Sequence, residues 1–270
     1  MRVYGLDFTS APRPRKPITC FEGVFEDGCL RQQRLAMLDS FRAFEAFLNQ
    51  PGPWIAGMDF PFAQSRRFVE NIGWPRVWSE YVEIVGGMDR PTFRATLEDY
   101  KRDRAPGDKE HHRAVDHLAK SISPQKLYGV PVGLMFFEGA PRLRRAGVHI
   151  PGLNDGDPTR VVVEAYPGVV ARRLIGRRSY KSDTRKKQTA ALHEARREMF
   201  QVVTSEYGAP GFDVTVKADA ALADDPSGDS LDAMICALQA AWAWSRRDAG
   251  FGLPPDMDPV EGWIADPALV

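Results

Sequence analysis

The sequence predicts an α/β fold: a mixed five-stranded sheet flanked by helices, with a mostly helical insertion after the fourth strand. Three observations predict it. Two short apolar runs, Val3-Tyr4-Gly5-Leu6 and Trp54-Ile55-Ala56-Gly57-Met58, are rich in strand formers and uncharged, as strands covered on both faces are. A hairpin signal, Asp27-Gly28, stands between two further strand-like runs. Elsewhere the apolar residues recur at helical spacing, most clearly over 228–244.

In chain order, residues 1–10 form the first strand, which Asp7 interrupts. Residues 11–17 are a Pro- and Arg-rich connection. Residues 18–26 and 29–35 read as antiparallel second and third strands around the Asp27-Gly28 turn. Asp39 or Ser40 can cap a helix in which Phe41, Phe44 and Leu48 share a face. Pro51-Gly52-Pro53 ends it, and residues 54–60 form the fourth strand, stopped by Pro61. A helical crossover places that strand parallel to the first and beside it. Residues 1–62 are then the first half of the core, 63–157 the helical insertion, 158–250 the second half and 251–270 a tail over the surface.

Within the insertion, 68–84 and 92–102 have helical patterns, 104–113 is a polar loop, and 121–141 sets Gly and Pro around the apolar run 132–137. In the second half, residues 159–166 form a strand whose three valines, Val161 to Val163, precede Glu164. A helix follows from Val169, a long one spans about 182–207, and 212–216 is a short strand or an extended connection. The last helix, 228–244, places Leu231, Ile235, Leu238 and Trp242 on one face. Asp229 and Asp232, three apart in its first turn, point the same way.

The 270 residues, 43% apolar with 6 Trp and 15 Phe, suffice for a sizeable core. A net charge of +0 gives no global pull toward nucleic acid or membrane, so any electrostatic case rests on local clusters. Cys20, Cys29 and Cys236 lack metal-binding spacing and sit in apolar runs, which suits reduced core thiols in a cytoplasmic protein. Met1 leads straight into a strand, so no signal peptide is expected. No apolar run approaches the roughly 20 residues of a membrane helix.

Acids stand where a core would exclude them. Gly5-Leu6-Asp7-Phe8 recurs as Gly57-Met58-Asp59-Phe60, and Glu164 closes a third buried run. Asp229 and Asp232 open an apolar helix. A buried carboxylate is costly unless a cation meets it. Carboxylate oxygens suit Mg²⁺ or Mn²⁺, and two such ions about 4 Å apart can clamp a phosphodiester. Plainer uses exist for each acid: Asp229 as a helix cap, Glu164 as the partner of an arginine such as Arg172, the strand-end acids as turn formers.

The order of elements, with Asp on the first strand, an acid on the fourth and Asp on the last helix, resembles the ribonuclease H-like superfamily. The motifs Gly5-Leu6-Asp7-Phe8-Thr9-Ser10, Gly57-Met58-Asp59-Phe60-Pro61, Glu164-Ala165-Tyr166-Pro167 and Asp232-Ala233-Met234-Ile235-Cys236-Ala237 resemble those of an uncharacterised family of predicted nucleases, domain of unknown function 429. Asp229-x-x-Asp232 also resembles the acidic pair of RuvC-type junction resolvases. The resemblance implies a metal-dependent nuclease in which Asp7 bridges two Mg²⁺ or Mn²⁺ ions, Asp59 is the fourth-strand ligand, and Asp232 completes the site with Asp229 assisting. Glu164 fits less cleanly, because the fifth strand supplies no ligand in the simplest members.

A second cluster is basic. Arg172, Arg173, Arg177, Arg178, Lys181, Arg185, Lys186 and Lys187 crowd one stretch with only Asp183 opposing. A nucleic acid led to the carboxylates needs such a patch; Arg172, Arg177, Arg178, Lys181 and Lys186 are its first candidates, and Arg13, Arg15 and Lys16 can extend it. A solvated helix face is the plainer reading. Lys126 reads as a surface lysine, and His111, His112 and His117 as an exposed charged segment. Trp74, Trp78, Trp242 and Trp244 suit packing better than base stacking. Two rivals to the nuclease remain: a non-catalytic nucleic-acid-binding module of the same fold, and a small-molecule phosphotransferase or phosphatase. The related ATPases hold nucleotide phosphates on a Gly-containing hairpin, whereas Phe8-Thr9-Ser10-Ala11-Pro12 after Asp7 has no Gly.

Overall fold

The register between the first and fourth strands positions everything that follows. In the computed structural model, which describes residues 1–182 and 184–270, β1 (Arg2–Asp7) pairs antiparallel with β2 (Ile18–Glu26), and β2 with β3 (Cys29–Leu38). Asp27 and Gly28 both take positive φ, 48° and 73°, the backbone that a two-residue hairpin turn requires. Ser40 caps α1 (Phe41–Leu48), its hydroxyl accepting from the Ala43 amide at 3.3 Å. The chain returns as β4 (Trp54–Asp59), parallel to β1 and directly beside it.

All five expected strands form, the fifth as β6 (Asp157–Glu164), parallel to β4. The sheet nonetheless has seven strands, not five. β5 (Val148–His149) adds to β6 at one edge, and β7 (Thr215–Lys217) to β3 at the other. A strand of two residues is too short to show a period-two pattern, so only tertiary pairing reveals β5; β7 resolves the stretch 212–216, expected as a short strand or an extended connection, as a strand at its end. The order is β5-β6-β4-β1-β2-β3-β7.

Segment 63–157 is mostly helical, as expected. α2 (Arg66–Asn71), α3 (Trp78–Gly86), α4 (Arg90–Arg102), α5 (Ala114–Ala119) and α6 (Val132–Ala146) lie between β4 and β6. With α1, most of them cover the sheet face that carries Tyr4, Leu6 and Met58. The opposite face carries Val3, Ile55, Val161 and Val163. It is covered by α7 (Pro167–Ile175), α8 (Ala190–Val203) and α9 (Asp229–Ser245). α9 is buried from Asp229 to Ala243, the state expected of a helix apolar nearly all round.

Two expectations need correction. The helix expected over about 182–207 is shorter: Arg185–Lys187 form a 3₁₀ turn and α8 starts at Ala190, capped by Thr189. The Thr189 cap sets the start of α8, its hydroxyl accepting from the Leu192 amide, and Asp183 lies outside the described residues. The tail over 251–270 does not drape over the surface. Val260, Ile264, Ala265 and Asp266 are buried, and the Ala265 amide donates to the Glu164 carbonyl at 2.8 Å. The exposed backbone where β6 ends gives this apolar stretch a partner. The three cysteines are free and buried, as expected. Among the described residues no helix is long and apolar enough to cross a membrane.

Candidate active site

Asp7 and Asp59 are register partners in adjacent parallel strands, a spacing of about 4.8 Å between backbones. Their side chains emerge on the α9 face, and glycines explain why α9 lies so close. Gly5 and Gly57 precede the two acids by two residues, on the same face of the pleat. A Cβ on Gly5 would stand 2.0 Å from the Ala233 carbonyl oxygen and 2.1 Å from the Ala237 nitrogen; one on Gly57 would stand 2.2 Å from the Cys236 oxygen. The helix backbone therefore rests on the strand backbones. Its first turn brings Asp232, fully buried, over Asp7 and Asp59. The repeated Gly-x-Asp-Phe is one seat for α9 made twice: glycine for the helix, aspartate for the site, Phe8 and Phe60 in tilted contact with ring centroids 4.4 Å apart among the aromatics of the opposite core.

The charges in this site are unevenly matched. Neither Asp7 nor Asp59 accepts a hydrogen bond from any described residue. Asp232 accepts from the Tyr180 hydroxyl at 2.8 Å and from the Lys181 ammonium. Asp229 pairs with Lys16 at 2.9 Å. Burial pushes the Asp7 carboxyl well above the usual range, Lys181 opposes this, and Asp229, Asp232 and Asp59 add to it. Burial, set against Lys181 and reinforced by Asp232 and Glu164, moves Asp59 up to about 7. Burial also raises Asp232 despite its bonds to Lys181 and Tyr180. Burial alone would strip the proton from Lys181, but Asp232, Tyr180, Asp7 and Asp59 together hold the ammonium charged. Lys181, expected on a phosphate-binding surface, is thus the cation of the acid cluster.

Glu164 stands apart from that cluster. Its register partner is Met58, not Asp59, so its side chain leaves the opposite face. Arg113 holds it with two bonds of 2.6 and 2.7 Å, and the Phe62 amide donates at 2.9 Å. Arg113 also binds Asp116, making a buried acid–base–acid triad. The arginine partner anticipated for Glu164 exists, but it is Arg113 rather than Arg172. Arg172 instead donates to the Ala119 carbonyl at 2.6 Å. Arg113 was hidden in a polar loop, where an arginine before Ala-Val-Asp gives no sign of burial; Lys16 and Tyr180 were equally silent. A cavity of about 260 Å³ lies between the two groups, bordered by Asp59, Asp232 and Lys181 on one side and by Arg113, Asp116 and Glu164 on the other.

The basic stretch divides. Arg173 faces Asp266 at 3.6 Å and Arg178 binds Glu198 at 2.6 Å. Arg177, Arg185, Lys186 and Lys187 are exposed and form no ion pair among the described residues. His111 is not exposed as expected; it is buried and bonded to the Tyr100 hydroxyl at 2.6 Å. Trp78 packs in the core and donates to the Phe62 carbonyl.

Carboxylates suit hard divalent ions. Asp7 and Asp59 present oxygens that no described donor uses, while Asp232 is engaged by Lys181 and Tyr180. Among the described residues, no group of three His, Cys, Asp or Glu stands ready to hold a metal ion. Ligation by Asp7, Asp59 and Asp232 together therefore requires Lys181 to withdraw.

One family model, described as "Protein of unknown function (DUF429)", matches residues 23–258. No curated protein and no solved structure matches the chain.

Proposed function

The chain belongs to the DUF429 family, and we propose that it hydrolyses nucleic-acid phosphodiesters with divalent metal on a ribonuclease H-like core. The observation that carries this reading is the Asp7–Asp59 pair: two carboxylates side by side in register, without a hydrogen-bond donor among the described residues, under the acidic first turn of α9. A core does not place such a pair for packing, because each charge is costly there. The order of the central strands and the acids on β1, β4 and α9 supports the ribonuclease H-like assignment. Asp7, Asp59 and Asp232 would hold Mg²⁺ or Mn²⁺, with Asp229 behind them. When bound, the ions supply an activated water and charge stabilisation at the leaving oxygen.

The chain's own groups have distinct tasks. The seat made by Gly5 and Gly57 fixes Asp232 over the strand acids. Tyr180 holds one Asp232 oxygen in place. Lys181 neutralises the cluster, and once it withdraws from Asp232 it offers a cation to a phosphate at the same spot. Arg177 and Arg185 to Lys187 supply the exposed charge that draws in a polyanion. Glu164 braces the cavity wall through Arg113.

The small cavity favours a second reading, hydrolysis of a small phosphate ester by the same acids. One experiment addresses both: a Mg²⁺ and Mn²⁺ titration with labelled single- and double-stranded DNA and RNA and with p-nitrophenyl phosphate, beside Asp7→Asn. Metal-dependent cleavage of a polynucleotide that Asp7→Asn abolishes supports the nuclease. Turnover of the small ester alone supports the second reading. Equal cleavage by wild type and variant removes both.

A further inference from the structure

We infer that the cavity beside the acid cluster is a pocket for one unpaired nucleobase. This rests on the proposed reading in one respect only: the phosphate joined to that base would lie at Asp59 and Asp232, which border the same space.

Size comes first. At about 260 Å³ the cavity falls below the roughly 300–1,000 Å³ of pockets for drug-sized ligands. Its recess suits one ring system with its sugar, the unit that enzymes which extrude a base take in.

The walls come second. Tyr166, Met135, Val132, Ile122 and Val130 line the apolar part. The Tyr166 ring lies over Gly168, where a Cβ would stand 2.6 Å from it. The ring borders the cavity, and an aromatic surface stacks any base. Val130 and Ile122, 57% and 37% exposed, flank it at the mouth.

Polarity comes third. The cavity is bordered by four carboxylates, Asp59, Asp116, Glu164 and Asp232, against two cations, Arg113 and Lys181. Arg113, Ser121 and the Phe62 amide occupy the oxygens of Glu164 and Asp116, and Tyr180 and Lys181 engage Asp232, so the charged wall sets no preference among bases and recognition falls to the apolar wall.

The test measures binding, not turnover. Titration calorimetry in Mg²⁺ compares AMP, CMP, UMP and ribose 5-phosphate, which has the phosphate and sugar but no base. A single-stranded oligonucleotide with and without one abasic site is the polymer arm. AMP, CMP and UMP should each bind at least about fivefold more tightly than ribose 5-phosphate, the lower end of one base–aromatic stack. Met135→Trp, which fills the cavity, should erase the advantage of AMP while leaving ribose 5-phosphate and Mg²⁺ binding unchanged. Val130→Trp at the exposed mouth should weaken it without risk to folding. Equal binding of AMP and ribose 5-phosphate overturns the pocket, whether or not the protein cleaves nucleic acid. AMP binding with no metal-dependent cleavage of any polynucleotide leaves the pocket standing, removes the nuclease and identifies the free nucleotide as the ligand; a penalty for the abasic oligonucleotide identifies the polymer.

Discussion

Replacing Gly5 with alanine isolates the contact on which the site depends. The added methyl would sit 2.0 Å from the Ala233 carbonyl oxygen, and relief to at least 3.0 Å moves α9 by about 1 Å. The obstacle is helix backbone, so no side chain can swing aside. Overpacking of a well-filled core costs about 1–3 kcal/mol, and a helix buried from Asp229 to Ala243 places this one near about 3 kcal/mol. That corresponds to a fall in Tm of about 6–10 °C for a chain of this size. The same shift lifts Asp232 from Asp7 and Asp59, and a misplacement of about 1 Å can cost 10²-fold in rate. Urea denaturation with divalent-ion calorimetry reads both effects. Gly87→Ala is the control: its φ is −84° and its new methyl meets nothing nearer than 3.5 Å, so stability should stay within about 0.5 kcal/mol. Gly5→Ala within that same margin, with unchanged metal affinity, would refute the seat and the reason given for the Gly-x-Asp echo.

Asp59→Asn should stabilise the metal-free protein by at least about 1 kcal/mol at pH 8, the equivalent of one pKa unit, and remove divalent-dependent thermal stabilisation; a destabilised variant would show that Asp59 has a structural partner. The pH dependence has a definite sign. The Asp59 carboxyl, raised to about 7, keeps a proton in the folded state that the unfolded chain loses near pH 4. This group's contribution to stability therefore falls as pH rises from about 4 to 7, and denaturation of wild type and Asp59→Asn at pH 5 and 7.5 should show the gap widening toward 7.5. Arg113→Met leaves Glu164 and Asp116 buried without their cation, at a cost of about 3–5 kcal/mol, whereas Arg172→Met, which breaks bonds to loop carbonyls and an interaction with the Tyr166 hydroxyl but strands no buried charge, should cost less than half as much by the same measurement. Alanine at Arg177, Lys186 and Lys187 together should weaken polynucleotide binding uniformly across sequences and reduce its salt slope by about one per residue; an unchanged slope in fluorescence anisotropy assigns those residues to solvent.

Much of the core was legible because it is written in local signals. Continuous apolar runs fix β1, β4 and β6, strand-like runs on either side of the turn fix β2 and β3, and period-3.6 patterns fix α1 and α9. Asp27-Gly28 fixes the hairpin, and Pro51-Gly52-Pro53 and Pro61 punctuate β4. What stayed hidden depends on partners distant in the chain. β5 exists only because β6 offers it an edge, and the edge of β3 decides that 215–217 is a strand and not an extended connection. The burial of residues 260–266 follows from the open end of β6, which no reading of a Pro-rich tail contains. Arg113 shows the limit most clearly: an arginine in a charged loop, 51 positions from Glu164, reads as solvent-facing until the fold closes over it.

The site was legible in its acids and illegible in its cations, and the asymmetry is physical. An aspartate inside an apolar run is anomalous against its neighbours, so composition alone exposes it. A lysine in a basic stretch is anomalous against nothing. Lys181 looked like one charge in a phosphate-binding surface, yet its place is on Asp232, within the field of Asp7 and Asp59. The two assignments describe one residue that carries its charge between two partners. The cluster without metal holds too much negative charge to stay ionised unless an ammonium enters; a divalent ion makes that ammonium redundant and frees it for the phosphate. Lys181→Met separates these roles. It should tighten Mg²⁺ binding, because no cation competes for Asp232, and weaken nucleotide binding in saturating Mg²⁺. Loss of both affinities would instead make Lys181 a structural cation, and the acid cluster an ion pair in a core rather than a metal site.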